Sequence, residues 1–207
     1  SHTNTIKVGT GAEGLLCTDG KIWVANGGGY GLDSTVMVVD AATGAVSDTV
    51  TVGYNPKELV EDASGNIWVI CSGADIYDDS WEVVGHLPSK LVMIDRQSRQ
   101  VVHSLIISNT SHPAHIDVSS GKETVYFGGG FGVNGIFSVS ITQPVIPQTP
   151  VIDGFFYGFN IRPRNGDIYC MVAPNFTSAG ELKIYSSAGA ALKSYSVGIA
   201  PSTALFN

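Results

Sequence analysis

Basic charge is scarce in this sequence: 11 Lys and Arg stand against 18 Asp and Glu in 207 residues, a net charge of −7. With no basic cluster either, the electrostatic footprint of a nucleic-acid binder is missing. Cysteine is scarcer still, and three residues cannot close a disulfide framework. Cys17, Cys71 and Cys170 lie in or beside apolar strand patterns, so all three are expected to be buried packing residues. No apolar run approaches the roughly 20 residues of a membrane-spanning helix, and no segment keeps a helical period. A Gly-x-Ser-x-Gly elbow is lacking, and no Ser/His/Asp set can be placed, so no catalytic residue is assigned. The chain begins Ser-His-Thr-Asn, with neither Met nor a signal peptide. It is therefore read as processed or cut from something longer, its export signal or anchor out of view.

One short pattern is present four times. Ile22-Trp23-Val24, Ile67-Trp68-Val69, Val125-Tyr126-Phe127 and Ile168-Tyr169-Cys170 each place an aromatic after a β-branched residue. A glycine precedes each (Gly20, Gly65, Gly121, Gly166), at intervals of 45, 56 and 45 residues. A fixed period of this size marks a repeat architecture.

Around each copy stand three further strand-like runs in constant order, bounded by Gly, Pro, Asn and Ser. The first unit reads Glu13–Cys17, the Trp23 strand, Val36–Asp40 and Val46–Val52. Four antiparallel strands per roughly 45 residues is the arithmetic of a β-propeller blade. The predicted fold is all-β, with blades at 10–53, 54–108, 109–152 and 153–198. Residues 1–9 match the last strand of a preceding blade, and residues 199–207 match the first strand of a following one. Four complete blades plus two orphan terminal strands read as part of a larger propeller. The remaining blades would lie on a missing segment or another chain; a five-bladed closure is the alternative. The repeated aromatic is expected to plug the space between adjacent blades.

In an up-and-down blade, the loops joining strands two and three leave one end of the sheet, as do those leading to the next blade. Here they are long and decorated. The first (26–33) carries Tyr30 and Asp33; the second (72–89) carries Tyr77, Trp81 and His86. The third (129–134) carries Phe131 and Asn134, and the fourth (173–177) carries Asn175 and Phe176. Long loops with rigid aromatics at one end of a scaffold are where ligands usually bind. The same end receives the entries to the first strands, where Glu13, Lys57, Glu58, His112, His115 and Tyr157 could meet a polar ligand. The opposite end has short connectors.

Other patterns fail on mechanism. Gly130-Phe131-Gly132-Val133-Asn134-Gly135 has dinucleotide-type glycine spacing, but a strand follows where a phosphate-binding helix is needed. Asp75–Ser80 clusters carboxylates without the spacing of a calcium loop. His112 and His115 flank a proline and lack a third zinc ligand. No cofactor is assigned.

The recurring order Val52-Gly53-Tyr54-Asn55-Pro56, Gly65-Asn66-Ile67-Trp68-Val69 and Met37-Val38-Val39-Asp40-Ala41-Ala42-Thr43-Gly44 resembles the YncE-like, surface-layer-type β-propellers. The likeness covers nearly the whole chain and rests on scaffold residues. Its spelling is most similar to exported propellers of Bacteroides-type bacteria, commonly lipid-anchored at the cell surface and seven-bladed. One branch of these captures vitamin B12 and related corrinoids for an outer-membrane transporter. The resemblance thus implies a non-enzymatic, surface-exposed binding protein whose ligand would be a small nutrient such as a corrinoid. A protein-interaction propeller is the alternative, and a lactonase- or lyase-type propeller enzyme the next.

Overall fold

The computed structural model describes residues 5–130 and 133–206. Every regular element among them is a strand, and no helix is present that is long and apolar enough to cross a membrane. The chain divides into two compact units, Ser1–Glu61 with Gly65–Thr110, and Asp62–Ser64 with Ser111–Asn207.

The first unit holds two four-stranded antiparallel blades. Strands β1 (Ala12–Thr18), β2 (Lys21–Asn26), β3 (Thr35–Asp40) and β4 (Val46–Thr51) pair in chain order. The second blade begins with β5 (Pro56–Glu61) and β6 (Ile67–Cys71). A separate hairpin of β7 (Ala74–Tyr77) and β8 (Val83–Leu87) interrupts it before β9 (Ser89–Ile94) and β10 (Val101–Ser108) complete the sheet. The second unit repeats the plan twice. Its blades are β11 (His115–Val118), β12 (Thr124–Gly128), β13 (Asn134–Ser140) and β14 (Ile152–Phe155), then β15 (Gly158–Ile161), β16 (Ile168–Val172), β17 (Ala179–Tyr185) and β18 (Ala191–Ile199).

Successive strand residues point to opposite faces, and this alternation sorts the repeated motif. Trp23 and Ala25 of β2 face the second blade, where they meet Leu59, Ile67, Val69 and Ile94. In the second unit Tyr126 of β12 packs with Phe159, Ile161 and Cys170 of the neighbouring blade. Trp23 and Trp68 are wholly buried. The aromatic of β2 and of β12 is thus the interblade plug that the sequence predicts. Each such side chain contributes about 1.5–3 kcal/mol by leaving water.

The same alternation corrects one expectation. Cys71 and Cys170 are buried, but Cys17 is exposed. Leu16 takes the face toward the Trp23 cluster, so Cys17 joins Leu15 on the other side.

The turn before the repeated aromatic explains its glycine. Gly20, Gly65 and Gly166 have φ of 68°, 83° and 75°, where a side chain is strained. In the third blade Lys122 (φ 61°) takes that conformation one residue after Gly121. At the turn from β3 to β4, Asp40 Oδ1 accepts from the Ala42 and Thr43 N–H groups and the Thr43 hydroxyl. Asp95 repeats this with the Ser98 N–H and hydroxyl, each at 2.7 Å. Between the two blades of the first unit, Arg96 and Thr18 both donate to Glu61 Oε1 at 2.8 Å.

Residues 5–11 and 200–206 lie along blades and join no ladder among the described residues, where the sequence predicts terminal strands; Ile199 closes β18. Ile6 and Val8 help line an apolar hollow of about 230 Å³ with Leu15, Ile22, Val24 and Val39. At the other end, Asn160 Oδ1 of β15 accepts from Ala204 N (2.8 Å) and the Thr203 hydroxyl (3.0 Å). Phe206 meets Tyr169 edge-on at 4.9 Å, so residues 201–206 cover the face of β16 that carries the repeated aromatic.

Candidate functional site

The loops between second and third strands are built around backbone hydrogen bonds and turn-forming side chains. In the first unit, Gly27 N donates to Gly11 O (2.8 Å) and Gly28 N to Thr10 O (2.9 Å), tying loop 27–34 to the entry of β1. Asp33 closes the loop: its Oδ1 accepts from the Ser34 and Thr35 N–H groups and the Thr35 hydroxyl, and its Oδ2 from Thr10 N. Burial works against the charge of Asp33, but these hydrogen bonds outweigh it and hold its pKa below the ordinary carboxylate value. Its oxygens are therefore engaged within the loop. Asn26 is wholly buried beside it and donates to the Thr35 hydroxyl at 3.1 Å.

Tyr30 stands at the tip of that loop, fully exposed at 113% of its reference area. It packs nothing down; backbone bonds, including Gly31 N to Gly28 O at 2.9 Å, hold the turn instead. At the strand entries of this unit, Lys57 Nζ pairs with Glu13 Oε1 at 2.9 Å. Asn55 donates from its side chain to Gly73 O, and Ser72 N donates to Asn55 O, which binds the second loop to the entry of β5.

The second loop contains the hairpin β7–β8. Its turn is made by Asp78, whose Oδ1 accepts from Ser80 N and Glu82 N while its backbone exchanges bonds with Glu82 and Trp81. Trp81 sits at φ 63°, a left-handed conformation that is a steric outlier for a bulky residue, and is 82% exposed. Its ring lies 6.2 Å from that of Tyr77, itself half-exposed. Across the hairpin, His86 Nδ1 is 2.7 Å from Asp75 Oδ1, and the Tyr77 hydroxyl reaches Asp75 Oδ2 at 3.4 Å.

In the second unit, Gly130 N donates to Phe156 O and Ala114 N to Gly129 O, tying Gly129 and Gly130 to the entries of β15 and β11. Phe131 lies outside the described residues. Asn134 opens β13 and donates to Asp153 Oδ1 at 2.7 Å, a cross-strand link to β14. His115 is half-buried, its ring packed close against Gly129 and Gly158, and His112 is half-buried just before β11. Asn175 Oδ1 accepts from Thr177 N, the Thr177 hydroxyl and Ser178 N, shaping loop 173–178. Beside it, Tyr157 and Phe176 meet edge-on with centroids 5.5 Å apart; Phe176 is half-exposed.

The structure therefore gathers two aromatic pairs, Tyr77 with Trp81 and Tyr157 with Phe176, and leaves Tyr30 alone. Asp33 and Asn175 hold local backbone, and Asn134 holds the Asp153 side chain across the strand pair. Tyr and Trp rings presented this way offer flat apolar area with a polar rim to a ligand or partner.

No protein-family profile and no curated protein matches this chain. Solved structures do resemble it. Hydrazine synthase of Kuenenia stuttgartiensis superposes with a TM-score of 0.68 at 15% identity, over 95% of this chain and 52% of that one. A quinoprotein alcohol dehydrogenase-like protein of Bacteroides thetaiotaomicron gives 0.63 at 13% identity, over 89% and 45%. A gluconolactonase of Xanthomonas campestris gives 0.56 at 15% identity, over 88% and 60%. The chain thus spans about half the length of the proteins it resembles. At these identities the likeness is one of fold: the chain is an all-β protein of four-stranded antiparallel propeller blades.

Proposed function

We propose that this chain is a non-catalytic binding module that captures a small nutrient at the long-loop end of its blades. The reading is carried by Tyr30, which is fully exposed on a loop whose backbone is already held without it. An aromatic needed to pack a glycine-rich loop would be covered by that loop. The second unit presents an aromatic pair of its own, Tyr157 with the half-exposed Phe176, at its long loops.

The resemblance to exported, surface-anchored propellers makes a corrinoid the first ligand to test, with delivery to an outer-membrane transporter as the biological context. A corrinoid offers a broad face for stacking and a rim of amides for hydrogen bonding, which suits exposed Tyr and Phe rings on polar loops. Gel filtration with cyanocobalamin, followed by corrinoid absorbance in the protein peak, tests the proposal. Co-elution that is lost in Tyr30→Ala or Phe176→Ala supports it, and free corrinoid beside an unlabelled protein peak overturns it.

A further inference from the structure

The hairpin β7–β8 is not needed to complete its blade, since β6 pairs directly with β9. It stands as a two-stranded sheet of its own, and neither strand has a further strand beside it among the described residues. Residues 74–87 carry four carboxylates (Asp75, Asp78, Asp79, Glu82) and no Lys or Arg. The same few residues expose Ile76, Tyr77, Trp81, Val83 and Val84. A two-stranded hairpin is marginally stable on its own in water, and exposed apolar side chains on strand edges are a template for pairing with another chain.

Trp81 adds an independent observation. It occupies a left-handed backbone position that glycine would take without strain, yet its ring is 82% exposed. A bulky residue held in a costly conformation, with little packing in return, points outward for its function. Trp is also the best of the aromatic faces for a cation, and Asp79 and Glu82 flank it in the same turn.

We propose that the hairpin is a docking site for an extended, basic segment of a partner protein. Arg or Lys side chains would stack on Trp81 and Tyr77 and pair with Asp79 and Glu82, while the segment's apolar residues would cover Val83 and Val84. With no further strand beside β7 or β8 among the described residues, the segment could add as one. This inference concerns the hairpin alone and does not depend on which nutrient the other loops take.

The test is fluorescence anisotropy of a fluorescein-labelled (Arg-Val)4 peptide titrated with the protein, with (Glu-Val)4 as control. The expected result is saturable binding of the basic peptide only, weakened at least tenfold between 50 and 500 mM salt. Trp81→Gly should weaken it at least tenfold without lowering the melting temperature, because glycine relaxes the turn. Asp79→Asn with Glu82→Gln, which leaves the turn and the ring intact, should weaken it at least fivefold. Equal binding of the acidic peptide overturns the proposal, as does binding unchanged in both variants. Binding of phosphatidylcholine vesicles in place of the basic peptide would also overturn it.

Discussion

Gly158 faces Ser202 so closely that a Cβ added to the glycine would lie 2.1 Å from the Ser202 carbonyl oxygen. Gly14 stands in the same relation to Lys57, where the distance would be 2.3 Å. Both glycines lie in the first strand of a blade, and both face the stretch that leads on from that blade. The contact is with backbone, which cannot swing aside.

A methyl group at this seam therefore costs stability. Gly158→Ala is expected to destabilise the protein by about 1–3 kcal/mol through overpacking. Gly198→Ala, where an added Cβ meets nothing within 4 Å, should change it by less than about 0.5 kcal/mol. Urea unfolding of the two variants checks this pair.

Trp23 seals the two blades of the first unit, and the Arg99 guanidinium lies 4.7 Å from its ring centroid. Trp23→Ala should cost about 3–5 kcal/mol as a buried truncation. Arg99→Ala alone should cost about 0.5–2 kcal/mol, and less once Trp23 is already Ala, because the ring contact is then gone while the links of Arg99 to Asp48 and the Arg96 carbonyl remain. A double-mutant cycle in urea measures the coupling.

The thiols should divide one against two. Burial raises the pKa of Cys71 to about 12, despite an N–H from Gly53 and the charge of Lys90, and raises that of Cys170 to about 12 as well. Neither forms thiolate near neutral pH, whereas Cys17 is exposed. A thiol-reactive dye is expected to label one cysteine in the native protein and three after denaturation.

Acid should weaken the turns. The Asp40 pKa is lowered first by the Lys21 hydrogen bond and then by Thr43, and that of Asp95 by Ser98. Asp33 is also lowered, its hydrogen bonds outweighing its burial. Each folded pKa lies below the ordinary value of 3.8. Their stabilisation is therefore present above about pH 4 and is lost as pH falls through the folded values. Unfolding followed from pH 6 to pH 2 should show this decline, and it should be shallower in Asp33→Asn.

The sequence makes the blades legible because their physics is local. Trp23, Tyr126 and their equivalents follow a turn glycine and alternate with residues of the opposite face, so period and burial agree. Asp40 and Asp95 recur because each closes a turn through its own neighbours. The hairpin β7–β8 is hidden by its polar, acidic composition, although Ile76-Tyr77 and Val83-Val84 around Asp78-Asp79-Ser80 are a hairpin signal. Cys17 shows a different limit. Alternation says that Leu16 and Cys17 face opposite ways, but not which face is covered. The side-chain engagement of Asp33 and Asn175 could be read from the Ser-Thr and Phe-Thr-Ser that follow them, since Asx turns need such donors. Which exposed ring stands free of its loop is a tertiary fact, and neither Tyr30 nor Trp81 announces it.

The loop-end aromatics are proposed to serve a ligand and not the fold. The most direct test compares Tyr30→Ala and Phe176→Ala with the parent protein in two assays, urea unfolding and gel filtration with cyanocobalamin. Stability within about 0.5 kcal/mol of the parent, with corrinoid co-elution in the parent and its loss in the variants, is the predicted result. Variants that lose stability by about 2 kcal/mol or more, or a parent protein that leaves the corrinoid free, would contradict it.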